Sequence, residues 1–186
     1  MAEAEQHETP ASRSQLVIQF RRLEEEIQQV EQRLLSFGGE TLPGVHLVIE
    51  AAGCRALLSS NRVVEVVRLV ATTPVPGAAR HVHGTFLWRR TPVIAVDLRK
   101  LLGAADEPGL EAQMVILTGS PCLALVVDHV PRLLEDPKLF EGEVAAGLAA
   151  GLRDCRLVVG LCLDGEEVLP VIDPTPIQAE LAGRTG

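Results

Sequence analysis

The chain repeats itself. Sliding the stretch that begins at Leu47 by 67 residues lays Leu47-Val48-Ile49 on Met114-Val115-Ile116, Ala56-Leu57-Leu58 on Leu123-Ala124-Leu125 and Val63 on Val130. At an offset of 76, Gly84 falls on Gly160, Leu87 on Leu163, Pro92-Val93-Ile94 on Val168-Leu169-Pro170 and Val96-Asp97 on Ile172-Asp173, without a gap across fourteen positions. A nine-residue insertion in the second copy, between Glu135 and Gly160, accounts for the change of offset. Two copies are too few for a solenoid, whose units bury their faces only by stacking. The repeat therefore predicts two similar small β units fused into one body, with a seam between them.

Composition decides what such a body can do. At 47% hydrophobic over 186 residues the chain can bury a sizeable core, supplied by Val and Leu because it holds no Tyr, one Trp and four Phe. So few aromatics weigh against a surface that stacks nucleic-acid bases, and a formal net charge of -8 weighs against binding phosphate backbones. Cys54, Cys122, Cys155 and Cys162 have no CxxC spacing, which predicts inert thiols in a reducing compartment, the cytoplasm. The polar, acidic stretch from Met1 to Gln15 lacks the pattern of a signal peptide. No apolar run approaches the roughly 18 residues of a membrane span, so no direct membrane insertion is expected.

Residues 1–14 read as disordered. Leu16, Phe20, Leu23, Ile27, Val30 and Leu34 then recur at spacings of four and three, predicting an amphipathic helix over 15–37 with a regular apolar seam. The seam packs on the chain's own β body or pairs with another helix. Parallel self-pairing is least favoured, because Glu26 would face Glu31 across the dimer. Residues 38–45, rich in Gly and Pro, read as a linker, and residues 46–183 as the β body, split into halves of roughly 46–110 and 111–175. Predicted hairpins are His46 to Ala51 with Cys54 to Leu58, Val82 to Trp88 with Pro92 to Val96, Gln113 to Leu117 with Cys122 to Val127, and Arg156 to Leu163 with Val168 to Ile172. Val63 to Leu69 forms a short helix or a strand. Asp97 and Asp173 each close a strand and cap a short helix, the second of which is C-terminal.

The run from Arg62 to Leu69, the Thr73-Pro74-Val75-Pro76-Gly77 turn, Gly84-Thr85-Phe86-Leu87-Trp88-Arg89, Val93 to Arg99 and Leu125-Val126-Val127-Asp128 come in an order that resembles the CheW family of chemotaxis coupling proteins. The resemblance covers roughly His46 to Leu181. It implies a mainly β fold of two SH3-like five-stranded β-barrels around a shared apolar core, here with an added N-terminal helix. It also implies a non-enzymatic adaptor that couples a chemoreceptor's cytoplasmic tip to the regulatory domain of a histidine kinase. On that resemblance the partner-binding residues are Val63, Glu65, Gly84, Trp88, Arg89 and Val127. Glu65 and Arg89 stand at the family's paired acidic and basic positions, either as an ordinary surface salt bridge or as a pair that aims the guanidinium at a partner.

Where the family commonly has Asn-Leu-Arg-Gly, this chain has Leu87-Trp88-Arg89-Arg90. Arg90 lacks glycine's ease at positive φ, so the hairpin tip is expected to take another shape. Trp88 either anchors a partner or fills the core.

Catalysis has no candidate constellation. His81 and His83 share one face of a strand but have no third ligand in view, so no metal and no cofactor is expected. Cys122 and His129 form a thiol–imidazole pair on paper only, since the thiol sits in an apolar run. Two rival readings stand beside the coupling adaptor. One is an orphan of the same fold that binds a single partner and titrates or replaces another coupling protein; the other is a small-molecule-binding or hydrolytic β protein.

Overall fold

The computed structural model describes residues 21, 22, 24, 41–140 and 155–183. The chain divides into two units, Met1–Gly38 and Gly39–Gly186. In the first, Arg21, Arg22 and Glu24 are helical. The seam residues Leu16, Phe20, Leu23, Ile27, Val30 and Leu34, and the stretch 1–14, lie outside the described residues.

The second unit is mainly β. Its strands are β1 (Val45–Ala51), β2 (Cys54–Ser59), β3 (Val63–Arg68), β4 (Val82–Trp88), β5 (Thr91–Asp97), β6 (Gln113–Leu117), β7 (Leu123–Val127), β8 (His129–Glu135), β9 (Lys138–Leu139), β10 (Val158–Asp164) and β11 (Glu167–Ile172). Two short helices, α1 (Leu98–Leu101) and α2 (Thr175–Gly183), follow β5 and β11. Val63 to Arg68 is a strand, which settles that alternative. Strands β8 and β9 were not expected from the sequence. The linker reading also changes at its end, because Leu42 is buried and its N–H donates to the Pro137 carbonyl at 2.7 Å.

The strands lie in two sheets, ordered β8-β1-β2-β11-β10-β9 and β3-β6-β7-β5-β4. Replacing each strand of the second order by its repeat counterpart gives β8-β1-β2-β11-β10, which is the first. The division into halves of 46–110 and 111–175 is therefore corrected, because the copies are interleaved. One sheet takes the first hairpin of copy one and the later strands of copy two; the other does the reverse. The physical reason is the parallel pair that joins each first hairpin to the opposite copy's last one. Leu57 and Leu58 pair with Val171 and Ile172, while Ala124 and Leu125 pair with Ala95 and Val96, the same register at the repeat offsets. Even the bulge recurs, between Val82 and Gly84 in one copy and Val158 and Gly160 in the other.

In one strand the repeat needs a one-residue correction. Leu58 pairs with Leu47, but its counterpart Leu125 pairs with Val115 rather than Met114. Leu47 and Ile49 share a core cluster with Val115 and Leu117, whereas Met114 and Ile116 face the other side of their sheet. A slip of one residue reverses the face of every side chain, so Leu47 corresponds to Val115, and the second hairpin is one residue shorter around its turn.

That shared core draws on both sheets and both helices, through Ile49, Leu58, Val96, Leu98, Leu125, Val127 and Ile177 among others. β7, with the unbroken apolar run Leu123-Ala124-Leu125-Val126-Val127, is buried on both faces, as a central strand beside a parallel neighbour must be. The six-stranded sheet curls back on itself. β8 pairs with β1 at one edge, and after only Asp136-Pro137 the chain pairs as β9 with β10 at the other. Asp136 makes that bend at φ +43°, and its Oδ1 accepts the Gly44 N–H at 2.6 Å.

Candidate functional site

The sequence-predicted cluster forms on the five-stranded sheet. Glu65 lies on β3 and Trp88 on β4, which are that sheet's opposite edges. Flat, at about 4.8 Å per strand, the edges would stand about 19 Å apart. Instead the indole Nε1 of Trp88 donates to Glu65 Oε2 at 3.1 Å and an Arg89 guanidinium nitrogen sits 3.0 Å from the same oxygen. The sheet curls until its edges meet, and these three side chains bridge the meeting line. The Arg89 guanidinium carbon lies 4.7 Å from the Trp88 ring centroid, a cation–π contact. One carboxylate oxygen and one aromatic face thus hold the guanidinium in place, while its side chain stays 67% exposed. A guanidinium carries five N–H donors, more than this one carboxylate oxygen uses.

The hairpin tip keeps a tight two-residue turn without the glycine. Trp88 pairs with Thr91, and the intervening Arg89 and Arg90 take φ of +48° and +71°. Two left-handed residues between antiparallel strands are the mark of a type I′ turn, whose twist matches that of the strands. The turn type that most favours glycine is built here without one. Instead, two arginines bear a conformation that costs a β-carbon residue about 1–2 kcal/mol, and strain of this kind gathers at functional sites.

Trp88 takes the core-filling alternative in part. It is half-buried and packs against the cluster of Val93, Ala95, Met114, Ile116, Ala124 and Val126 inside the curled sheet, yet its polar edge reaches Glu65 at the rim. Val63 is half-buried against the shared core. Two other expected contact residues do not reach the surface. Val127 is 0% exposed in the shared core. Gly84 is buried at φ +150°, and a β-carbon there would stand 2.7 Å from both Thr72 Oγ1 and the Thr73 carbonyl oxygen, so its glycine serves the close approach of that strap. Exposed Val64, Val66 and Leu87 on β3 and β4 were missed. The run Val63-Val64-Glu65-Val66-Val67 does not alternate cleanly, so nothing local shows which valines face out or that they lie at an edge.

A second cluster joins the copies. Asp97 caps α1, its Oδ1 accepting from Arg99 N at 3.0 Å and Lys100 N at 3.3 Å. Arg99 is 4% exposed, pairs with Asp106, and brings its Nε to 2.9 Å from Asp128 Oδ1. The other Asp128 oxygen accepts the N–H of Ala52 in the β1–β2 turn. Asp173 accepts from Thr175 at the start of α2. Asp97 and Asp173 therefore cap helices, as expected, and Asp128 holds a turn. Burial pushes the Asp97 carboxyl above its ordinary range against the opposing N–H bonds and cations, and its Oδ2 has no hydrogen-bond partner among the described residues. Arg99 itself gave no sequence signal, since its two partners lie seven and twenty-nine positions away.

The four cysteines are free thiols. Burial raises the pKa of Cys54 and Cys122 and pushes Cys162 up to about 11, so these three hold their protons. Among the described residues no group of His, Cys, Asp and Glu is arranged to hold a metal.

A family model for the CheW-like domain matches residues 46–180. The chain belongs to the CheW-like family. The scaffolding protein TtCheW from Thermoanaerobacter tengcongensis, known from a crystal structure, superposes with a TM-score of 0.60 at 19% identity, over 70% of this chain and 84% of that one. At that identity the likeness is one of fold. No curated protein matches the sequence. No helix among the described residues is long and apolar enough to cross a membrane.

Proposed function

We propose that the chain is a cytoplasmic, non-enzymatic coupling adaptor of chemotaxis-type signalling, holding a chemoreceptor's cytoplasmic tip and a histidine kinase's regulatory domain at once. The Glu65–Trp88–Arg89 bridge carries this reading. It is a preorganised arginine beside a tryptophan, flanked on β3 and β4 by exposed Val64, Val66 and Leu87, and Trp and Arg are the residues in which interface energy concentrates. Family membership supports the reading, and so does the repeat, which gives one compact body two similar curled sheets and hence more than one face to present. Each sheet is read as one SH3-like barrel, with β9 as an extra short strand. An adaptor works by geometry. Holding two partners together raises the effective concentration of each for the other, and a small shift in one then biases the other between its states.

Gel filtration of the purified chain with a kinase regulatory domain and a receptor tip fragment tests this. A three-component peak is expected. Binding to one partner only would favour the orphan adaptor, and binding to neither would overturn both readings.

A further inference from the structure

The repeat shows where one of the two sheets is incomplete. In the six-stranded sheet, Lys138 and Leu139 of β9 pair with Leu163 and Cys162, and Phe140 N donates to the Leu161 carbonyl at 3.0 Å. At the repeat offsets, Phe140 and Leu161 correspond to Thr73 and Thr85, which do bond each other, at 2.7 and 2.8 Å. The next positions, Ala71 and Leu87, correspond to Lys138 and Leu163 but form no pair. In their place is a groove of about 720 Å³, lined by Val67, Val70, Ala71, Phe86, Trp88 and Pro92.

The main chain at that position is ready to bond. Thr85 turns its N–H and C=O away from β5 toward Thr73, so Leu87, two residues on, turns its own the same way. Its neighbour on β5 is Pro92, which has no N–H to offer. The Leu87 side chain is 74% exposed. The groove is bounded by the Thr73–Thr85 bond at one end and by Trp88 and Glu65 at the other, a span of about three residues or about 10 Å of strand.

We propose that this groove binds a short extended segment of a partner polypeptide, with a polar residue opposite Leu87 and an apolar residue on each side of it. The chain itself supplies the template. Opposite Leu163 stands exposed Lys138, between buried Pro137 and half-buried Leu139. In the same arrangement, the flanking apolar side chains would meet Val67, Phe86 and Trp88 while two main-chain bonds form to Leu87. No charged residue lines the groove, and the residues that follow it on the chain at either side, Arg68 and Arg89-Arg90, are cationic. Acidic residues flanking the apolar ones complete the segment. This site does not rest on the coupling role and stands or falls apart from it.

The test uses the whole chain and a capped synthetic peptide with the sequence of residues 135–141, which carries the template and three acidic residues. Trp88, the one tryptophan, reports on the groove by fluorescence, and amide NMR reports on Leu87 and Leu163 separately. We expect a saturable change in Trp88 emission, slowed exchange of the Leu87 amide, no change at Leu163, and binding about tenfold weaker or worse when the peptide is N-methylated at the lysine. Val70→Asp, at a half-exposed site, is expected to weaken binding by a similar factor while leaving the spectrum of the fold intact. The proposal is overturned if binding does not saturate at millimolar peptide, if the methylated peptide binds equally, or if Leu163 responds instead because the peptide displaces β9. It is also overturned if Leu87 becomes protected with rising protein concentration alone, which would make a second copy the occupant.

Discussion

Arg90 and Gly84 carry opposite lessons about positive φ. Arg90 holds φ +71° with a β-carbon, at a cost of about 1–2 kcal/mol. Arg90→Gly removes that cost but gives the unfolded chain about 0.4–1 kcal/mol more conformational entropy. The net expectation is a gain of up to about 1.6 kcal/mol, or a melting temperature raised by up to about 6 °C at this size. A lower melting temperature would show that the arginine side chain stabilises the tip more than its backbone strains it. Gly84→Ala goes the other way. Its β-carbon would meet Thr72 and backbone at 2.7 Å, so a loss of about 2–3 kcal/mol is expected from strain and overpacking. Urea denaturation measures it, and a loss under about 0.5 kcal/mol would show that the strap over Gly84 yields.

At the scale of elements, the short helix α1 depends on a carboxyl that is 0% exposed. Burial raises the folded pKa of Asp97 above its ordinary 3.8, so between those values the folded state binds more protons than the unfolded one. The stability contributed by the protonated form is present at low pH and falls as pH rises through the folded value. Asp97→Asn keeps an oxygen for the Arg99 and Lys100 N–H groups and removes the titration, so its stability is expected to fall less than the wild type's as pH rises from 4 to 7. Equal slopes in denaturant titrations across that range would contradict this. Hairpins were the most legible elements in the sequence, because alternation and a Gly-containing turn mark them locally, as at Ala52-Gly53. β8 escaped notice because its exposed pattern at Arg132 and Leu133 carries no core signal, although Val130 aligned with Val63 and marked its start. The Glu65–Arg89 pairing was readable from the family resemblance. The indole bond to Glu65 was not, since it depends on a sheet curling its edges together.

Above the elements, the β body is two copies that have exchanged their first hairpins. A repeat in sequence shows that two units exist, but the partner of each strand is decided by long-range parallel pairs such as Leu57 with Val171, which leave no local trace. One consequence is that the halves 46–110 and 111–175 are not separable bodies. The unit boundary at Gly38 is different. Deleting residues 1–38 is expected to leave the β body folded, with an unchanged circular dichroism signature of strand, and to cost it one partner or some solubility through loss of the seam from Leu16 to Leu34. Unfolding of the truncated chain would place the seam in the core, and unchanged binding to every partner would make it merely intramolecular. The proposed coupling role requires the bridge across the meeting edges to be a contact surface. Glu65 also holds the Trp88 indole, so reversing its charge would disturb packing as well as binding, and Arg89, 67% exposed, is the cleaner probe. The deciding measurement is calorimetric titration of Arg89→Ala against the kinase regulatory domain and the receptor tip, beside a thermal melt of the same variant. Affinity for at least one partner is expected to weaken about tenfold or more, with a melting temperature within about 4 °C of wild type, as an exposed ion pair contributes about 0–1 kcal/mol. Wild-type affinity for both partners would contradict this.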